Sequence, residues 1–285
     1  MGFYMMKMSR VYITAILLCI GLSIYCLQNY FEAGVLPTAR LDYAAAVHDG
    51  GKIPELKVIT YNIHIGIGKD DKLDLDRIVE NIKQEDPDIV ALQEVDRFLA
   101  RSGLQDEAEY IADKLSMNCA YGKSLNVLWG AYGNAILSKY PLSDCKNIVL
   151  PFEGERRTAL GATIVVNGEK IDVYNVHLGL SSKERVRQVD KLMETVESGG
   201  NSCILLGDFN SPDSELTRLA AIMSDSGSGN NDAPTFIYES GEGYRIDYIF
   251  FTPGLKLKAY KVVQSDASDH NMVVSELELP GEVTK

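Results

Sequence analysis

From Glu55 onward, short apolar runs alternate with stretches whose apolar positions recur every three or four residues. The short runs predict strands over Leu56–Ile63, Ile89–Gln93, Ala135–Leu137, Ala162–Val166, Ile171–Val176, Cys203–Leu206, Ile246–Phe251 and Met272–Glu276. Between them, Leu75–Gln84 sets Ile78, Val79 and Ile82 on one helical face and stops before Pro87. Gln105–Met117 reads as a second amphipathic helix. A third begins at Ser181 or Ser182, with Ser181 and Glu184 at capping-box spacing, and ends at Gly199–Gly200. A fourth is expected after Ser211 as N-cap, with Pro212 in its first turn. Ser226–Pro234 reads as a loop. No internal repeat interrupts this order. The pattern predicts one layered α/β (α+β) domain over residues 55–285.

The beginning of the chain follows a different rule. Lys7 and Arg10 precede a charge-free stretch, Val11–Phe31, whose apolar heart Val11–Leu27 reaches the lower length limit of a membrane-spanning helix. A cleaved signal peptide needs small residues close behind, and the first A-x-A match, Ala44–Ala46, lies far downstream. Tyr25 before Cys26 argues against lipoprotein processing, and Met6 against myristoylation at Gly2. The expectation is a cytoplasmic stub and uncleaved signal anchor over 1–32, then a tether over 33–54 that includes a solvated His48. The basic flank puts the domain that follows outside the membrane. A cleaved, secreted form is the alternative.

The polar exceptions to the strand pattern fall at strand ends. Asn62 and His64 follow Val58–Ile59–Thr60; Asn175 and His177 follow Ile171–Asp172–Val173; Asp208 and Asn210 follow Ile204–Leu205–Leu206. In each i, i+2 pair an extended backbone points both side chains to one side. Gln93–Glu94, Asp247 and Ser268–Asp269–His270 extend the set. A lone Asp at a strand end usually serves its own turn, but six such places using three of the chain's four histidines point to chemistry on a rigid scaffold.

Glu94, Asp208, Asp269 and the amide oxygens of Asn62 and Asn210 make a hard-oxygen donor set that suits Mg²⁺ or Mn²⁺ rather than zinc. His177 and His270 supply proton donors near neutral pH, and Asp247 is better placed than the adjacent Asp269 to orient His270. Together they suit metal-assisted hydrolysis of a phosphate ester.

These segments resemble the ordered motifs of the endonuclease/exonuclease/phosphatase superfamily. They are Val58–Ile59–Thr60–Tyr61–Asn62, Ala91–Leu92–Gln93–Glu94–Val95, Gly133–Asn134–Ala135–Ile136–Leu137–Ser138, Asn175–Val176–His177–Leu178, Gly207–Asp208–Phe209–Asn210 and Ser268–Asp269–His270. The resemblance runs from about Lys57 to Val274 and implies a four-layered sandwich of two β-sheets flanked by helices. It also implies roles. Glu94 would be the principal metal ligand, assisted by Asn62 and Asp269. Asp208 would position or deprotonate the attacking water, and Asn210 would contact the phosphate. His177 would stabilise phosphoryl oxygens, and His270 would act with Asp247. Asn134 and Arg157 would contact substrate phosphate, with Arg156 competing for the arginine role. Two departures stand out: His64 replaces an Asp found in some abasic endonucleases, and Thr235–Phe236–Ile237–Tyr238 lacks the proline common in related bacterial sequences.

Composition narrows the substrate. The 285-residue chain is 46% hydrophobic with net charge −12, an ordinary globular usage without the basic footprint of a polyanion binder. Lys183, Arg185 and Arg187 read as a solvated helix face, with a basic nucleic-acid groove as the other reading. Tyr121, Trp129 and Tyr132 read as aromatics packed on their own domain, with a substrate-stacking rim as the alternative. Cys203 is expected as a buried thiol, and Cys119 and Cys145 as a candidate pair. The preferred partner is a phosphoester, a lipid headgroup or other small ester at the outer membrane face, handled by a monomer. A nuclease is the runner-up, and a non-catalytic binding module comes third.

Overall fold

The computed structural model describes strand Val35–Thr38 and residues 54–229, 233–238 and 240–280. The expected anchor and His48 lie outside the described residues, and among those described no helix is long and apolar enough to cross a membrane.

Two mixed sheets carry the domain. The first takes β1 (Val35–Thr38), β2 (Glu55–Asn62), β3 (Ile89–Arg97), β4 (Asn118–Val127), β5 (Gly130–Ser138), β14 (Lys256–Val263) and β15 (Met272–Glu278) in the order β1-β4-β5-β3-β2-β15-β14. The second takes β6 (Ser143–Val149), β7 (Thr158–Val166), β8 (Glu169–His177), β9 (Ser202–Asp208), β10 (Ser224–Asp225) and β13 (Asp247–Phe251) in the order β10-β13-β9-β8-β7-β6. A small hairpin pairs β11 (Phe236–Ile237) with β12 (Gly243–Tyr244). The expected tether therefore contributes an edge strand. β1 pairs with β4, and Pro37 is tolerated there because an edge strand has a side without ladder bonds.

The strict alternation of each strand builds the layers. In β2, Leu56 and Val58 face the second sheet, whereas Ile59 and Tyr61 face the helices. In β8 and β9, Ile171, Val173, Ile204 and Leu206 fill the same inter-sheet core, and Tyr174, Val176, Cys203 and Leu205 turn outward. Helices α1 (Leu75–Glu85) and α2 (Glu107–Leu115) cover the first sheet through Ile78, Val79, Ile82, Ala108 and Ile111. Helix α3 (Ser182–Glu197) and the short α4 (Thr217–Ala220) cover the second through Val189, Leu192 and Leu219. The result is the four-layered sandwich the resemblance implies.

Local start signals hold where an Asp can turn back on the helix. Asp74 accepts from the N–H groups of Asp76 and Arg77, and Asp106 from Glu109. Ser181 does precede α3 but makes no side-chain cap bond, and Glu184 accepts from the N–H of Glu153 instead of closing the box. The expected fourth helix is reduced to a 3₁₀ turn, Asp213–Glu215, followed by α4; the buried Ser211 hydroxyl donates to Glu215 rather than capping. Cys119, Cys145 and Cys203 form no disulfide, so the candidate pair does not form.

Candidate active site

Continued past the apolar part of each strand, the inter-sheet face turns polar. In β2 the positions after Leu56 and Val58 are Thr60 and Asn62; in β8, Asn175 and His177 follow Ile171 and Val173; in β9 and β13 the same face ends in Asp208 and Asp247. One rule of pleating thus makes both the core and the site above it. β8 runs parallel to β9 with His177 opposite Asp208, and β13 runs antiparallel with Asp247 opposite Asp208.

The floor of the site is a polar lock between the sheets. Gln93 Nε2 donates to Asn175 Oδ1 at 2.7 Å, and Asn175 Nδ2 donates to the carbonyls of Leu92 and Ala135 at 2.8 Å each. Both side chains are fully buried, so each bond joins a strand of one sheet to the other where no water competes. Asn175 therefore ties the sheets together rather than facing the site.

Glu94 enters by a different device. The β3–β5 register slips between Leu92 and Val95, and Glu94 takes a left-handed φ of 56°. This bulge returns Val95 to the helix-facing core and aims Glu94 at the site. Asn62 bridges the two sheets' carboxylates: its Nδ2 donates to Glu94 Oε1 at 3.1 Å and to Asp208 Oδ2 at 3.0 Å. Its Oδ1 is taken by the backbone N–H of His64. Asn62 thus orients the carboxylate of Glu94, the residue the resemblance has it assist, together with that of Asp208.

His270 Nδ1 pairs with Asp247 Oδ2 at 2.9 Å, and its Nε2 lies 3.7 Å from Asp208 Oδ2. Burial alone would lower the pKa of His270, but the carboxylates of Asp247 and Asp208 outweigh it and push the ring up to about 10. Burial, then Asp247, pushes Asp208 up to about 7. His177 Nε2 stands 3.5 Å from Asp208 and 4.0 Å from Glu94. Burial, helped by the positive fields of Arg157 and His270, holds His177 well below its ordinary value, in the neutral form. The two imidazoles flanking Asp208 therefore differ in charge.

Around this centre, Arg157 is buried, 3.2 Å from Glu155 through Nη2, with Nε and Nη1 unpaired. Its field acts on His177, which places it at the site; Arg156 beside it is also buried. Asp269 sits at the mouth, 3.9 Å from His64 Nδ1. Asn134 is buried, and one N–H of its amide donates to the Thr158 carbonyl at 3.1 Å, in the strand that follows Arg157. Asn210 and His64 leave the extended path altogether, with φ of 48° and 45°. The same-side expectation holds for Asn175 and His177 and fails for the other two pairs. Asn210 still serves Asp208, whose Oδ1 accepts its N–H at 2.8 Å.

Several supporting residues named in the sequence were given no part in the chemistry there. Ser268 Oγ donates to the Asn62 carbonyl and accepts the His270 N–H, although the Ser-Asp-His motif signalled it. Thr235 Oγ1 accepts the N–H groups of Ile246 and Asp247, fixing the start of β13. The Phe236 ring lies 4.8 Å from the His270 ring and shields it. Tyr132 packs beside Glu94, and burial followed by that carboxylate raises its phenol pKa.

A hard divalent cation fits these donors. Asp208, Asp247 and His270 bring polar atoms within 4.8 Å of one another and Asp247 Oδ1 is buried without a partner, but a protonated His270 only donates, so this trio offers a cation carboxylate oxygens alone. Glu94 and Asp269, 24% and 38% exposed, are the carboxylates that reach the open side.

The comparisons with known proteins agree with this geometry. The chain is 34% identical over 167 residues to YbhP of Escherichia coli, covering 54% of this chain and 66% of that protein, just under two thirds of its length. An endonuclease/exonuclease/phosphatase from Beutenbergia cavernae superposes with a TM-score of 0.68 at 25% identity, over 80% of this chain and 72% of that one. Caenorhabditis elegans TDP2 shares the fold, with a TM-score of 0.62 at 24% identity, over 79% of this chain and 97% of that one. The model of the endonuclease/exonuclease/phosphatase family matches residues 59–270, which contain every residue of the site, and the chain belongs to that family.

Proposed function

We propose that the protein is a Mg²⁺- or Mn²⁺-dependent phosphoester hydrolase acting outside the cytoplasmic membrane on a lipid headgroup or other small phosphoester. Members of its family are generally hydrolases of phosphoesters. The observation that carries the reading is the meeting of Asp208 with a charged His270 and a neutral His177 beside the unpaired donors of Arg157. Glu94, with Asp269 at the mouth, would hold the cation, which polarises a phosphoryl oxygen when bound. Asp208 takes the proton of the attacking water: its raised pKa makes it a stronger base than an ordinary carboxylate, and the Asn210 N–H and Asn62 amide fix its direction. His270, kept charged by Asp247, stabilises negative charge growing on the phosphoryl group, and Arg157 Nε and Nη1 bind its oxygens. His177 donates from one ring nitrogen.

The lipid or small-ester preference rests on the net charge of −12 and on the fate of the α3 cations. Arg185 is buried against Glu215, and Lys183 and Arg187 share Glu153, so the face that would line a nucleic-acid groove keeps little free positive charge. The apolar Val11–Leu27 run supports a place at the membrane. A side-by-side panel of sphingomyelin, phosphatidylinositol phosphates, plasmid DNA and abasic DNA tests the substrate class. Lipid or small-ester turnover is expected; rapid plasmid nicking without lipid turnover overturns the choice.

A further inference from the structure

Four large exposed apolar side chains gather at the end of the first sheet that also carries Glu94. β4 and β5 join through a two-residue turn, Leu128–Trp129, in which Leu128 is 89% exposed and Trp129 is 77% exposed. The neighbouring loop presents Phe98 at 52% and Leu104 at 65% exposure. The two loops touch, because Leu99 lies against Gly130 and the Leu104 N–H donates to the Leu99 carbonyl. Trp129, which was expected to pack on its own domain, does not.

Three of these positions break a local rule. Phe98, Leu104 and Leu128 have φ of 56°, 60° and 52°, in the left-handed region that favours Gly, Asn or Asp. Tight turns with that backbone ordinarily carry polar or glycine residues and no exposed leucine. Large apolar groups held on strained backbone and left in water gain nothing for the isolated fold. A rule broken without a gain in the fold is the mark of a functional surface.

The position of the tip is set by strand register. Arg97 pairs with Ala131 and Asp96 with Tyr132, so Trp129 lies about 15 Å beyond Glu94 along the strands. The cations at its base are already matched: Arg97 pairs with Asp106, and Arg101 with Asp96 at 2.7 Å. The surface is therefore apolar with an indole, and its nearest guanidiniums are neutralised. That is the chemistry of shallow insertion into the headgroup–acyl boundary of a bilayer and not of phosphate-backbone binding.

We infer that the Leu128–Trp129 turn, with Phe98 and Leu104, docks the domain on a zwitterionic lipid surface and presents the site to phosphoesters in that surface. The inference rests on the lipid reading of the proposed function. The apolar run Val11–Leu27 in the same chain is the second argument for a bilayer as the occupant, because it would keep the chain beside one. Tryptophan favours the membrane interface, with its ring in the acyl boundary and its N–H in the wet layer.

Trp129 is the only tryptophan in the chain, so its fluorescence reports on this turn alone. The full chain is reconstituted with phosphatidylcholine vesicles carrying brominated acyl chains. The expected result is a blue-shifted Trp129 emission, quenched by shallow bromines and protected from acrylamide, with little dependence on salt. Leu128→Asp and Leu128→Asn keep the indole as probe and should weaken this quenching about tenfold or more. Asparagine suits the left-handed turn better than leucine, so misfolding does not explain a loss in that variant. Both variants should hydrolyse bis-p-nitrophenyl phosphate at the wild-type rate. A Trp129 that stays accessible to acrylamide and unquenched by lipid overturns the inference, as does quenching by single-stranded DNA instead. The fluorescence requires no turnover, so failure of docking and failure of the hydrolase reading are seen separately.

Discussion

Each sheet holds one parallel strand pair at its centre, and the two pairs build their half of the site by different means. In the second sheet, β8 and β9 run in uninterrupted register, so His177 meets Asp208 by pleating alone. In the first, β2 and β3 are in register only as far as Asn62 and Gln93, and Glu94 is delivered by a bulge with a left-handed backbone. The regular half gives a carboxylate that is 1% exposed and fixed from several sides. The bulged half gives one that is 24% exposed. A buried, oriented base suits proton transfer, and a carboxylate open to solvent suits an ion that must enter and leave. The division of labour follows from backbone geometry before any ligand is considered.

The comparison can be broken at several depths. The largest effect on rate is expected where Asp208 of the regular half meets its charged partner across the site. His270→Ala removes the charge facing Asp208 and should lower turnover of bis-p-nitrophenyl phosphate by about 10²–10⁴, with circular dichroism confirming the fold. A rate near wild type would remove His270 from the chemistry. Asn175→Ala strikes the lock that holds the two halves together and leaves Gln93 Nε2 and two carbonyls without their partner. A stability loss of about 2–4 kcal/mol in urea unfolding is expected, with a smaller fall in rate; unchanged stability would mean that the sheets are held by apolar packing alone.

The smallest effect on rate is expected from Glu107, which props the bulged side by accepting the Asp96 N–H while its Oε1 has no partner. Burial is the main cause that pushes its pKa from 4.5 up to about 8. The folded chain then keeps a proton that the unfolded chain loses, so stability falls as pH rises from 4.5 to about 8. The slope is at most about 1.4 kcal/mol per pH unit. Glu107→Gln should flatten that slope in thermal melts across the window and leave turnover unchanged. An unaltered slope would contradict the assignment.

Much of this was legible because one periodicity governs both layers. Ile171, Val173, Asn175 and His177 are a single alternating series, and reading its apolar part already points its polar end to the same side. The reading failed where the chain leaves the strand: His64 and Asn210 are of types that take a left-handed backbone more readily than most, but nothing in Asn62–Ile63–His64 or Asp208–Phe209–Asn210 requires it. The Glu94 bulge was hidden for a similar reason: Gln93 and Glu94 are adjacent, and alternation alone would send them to opposite faces. β4, β6 and β14 escaped prediction because they are rich in small, charged or half-exposed residues and β6 and β14 lie at sheet edges. Trp129 was misplaced because composition speaks for burial of aromatics, while its exposure depends on a two-residue turn. The Ser181–Glu184 capping box failed when a tertiary partner, the Glu153 N–H, claimed the glutamate.

The measurement that tests the central claim most directly is the initial rate of bis-p-nitrophenyl phosphate hydrolysis by the purified protein in Mg²⁺ or Mn²⁺, before and after EDTA, for the wild type and Glu94→Ala. The account predicts that EDTA abolishes the wild-type rate, that restored Mg²⁺ recovers it, and that Glu94→Ala recovers it only at far higher metal concentration or not at all. A rate that survives both EDTA and Glu94→Ala would contradict the account.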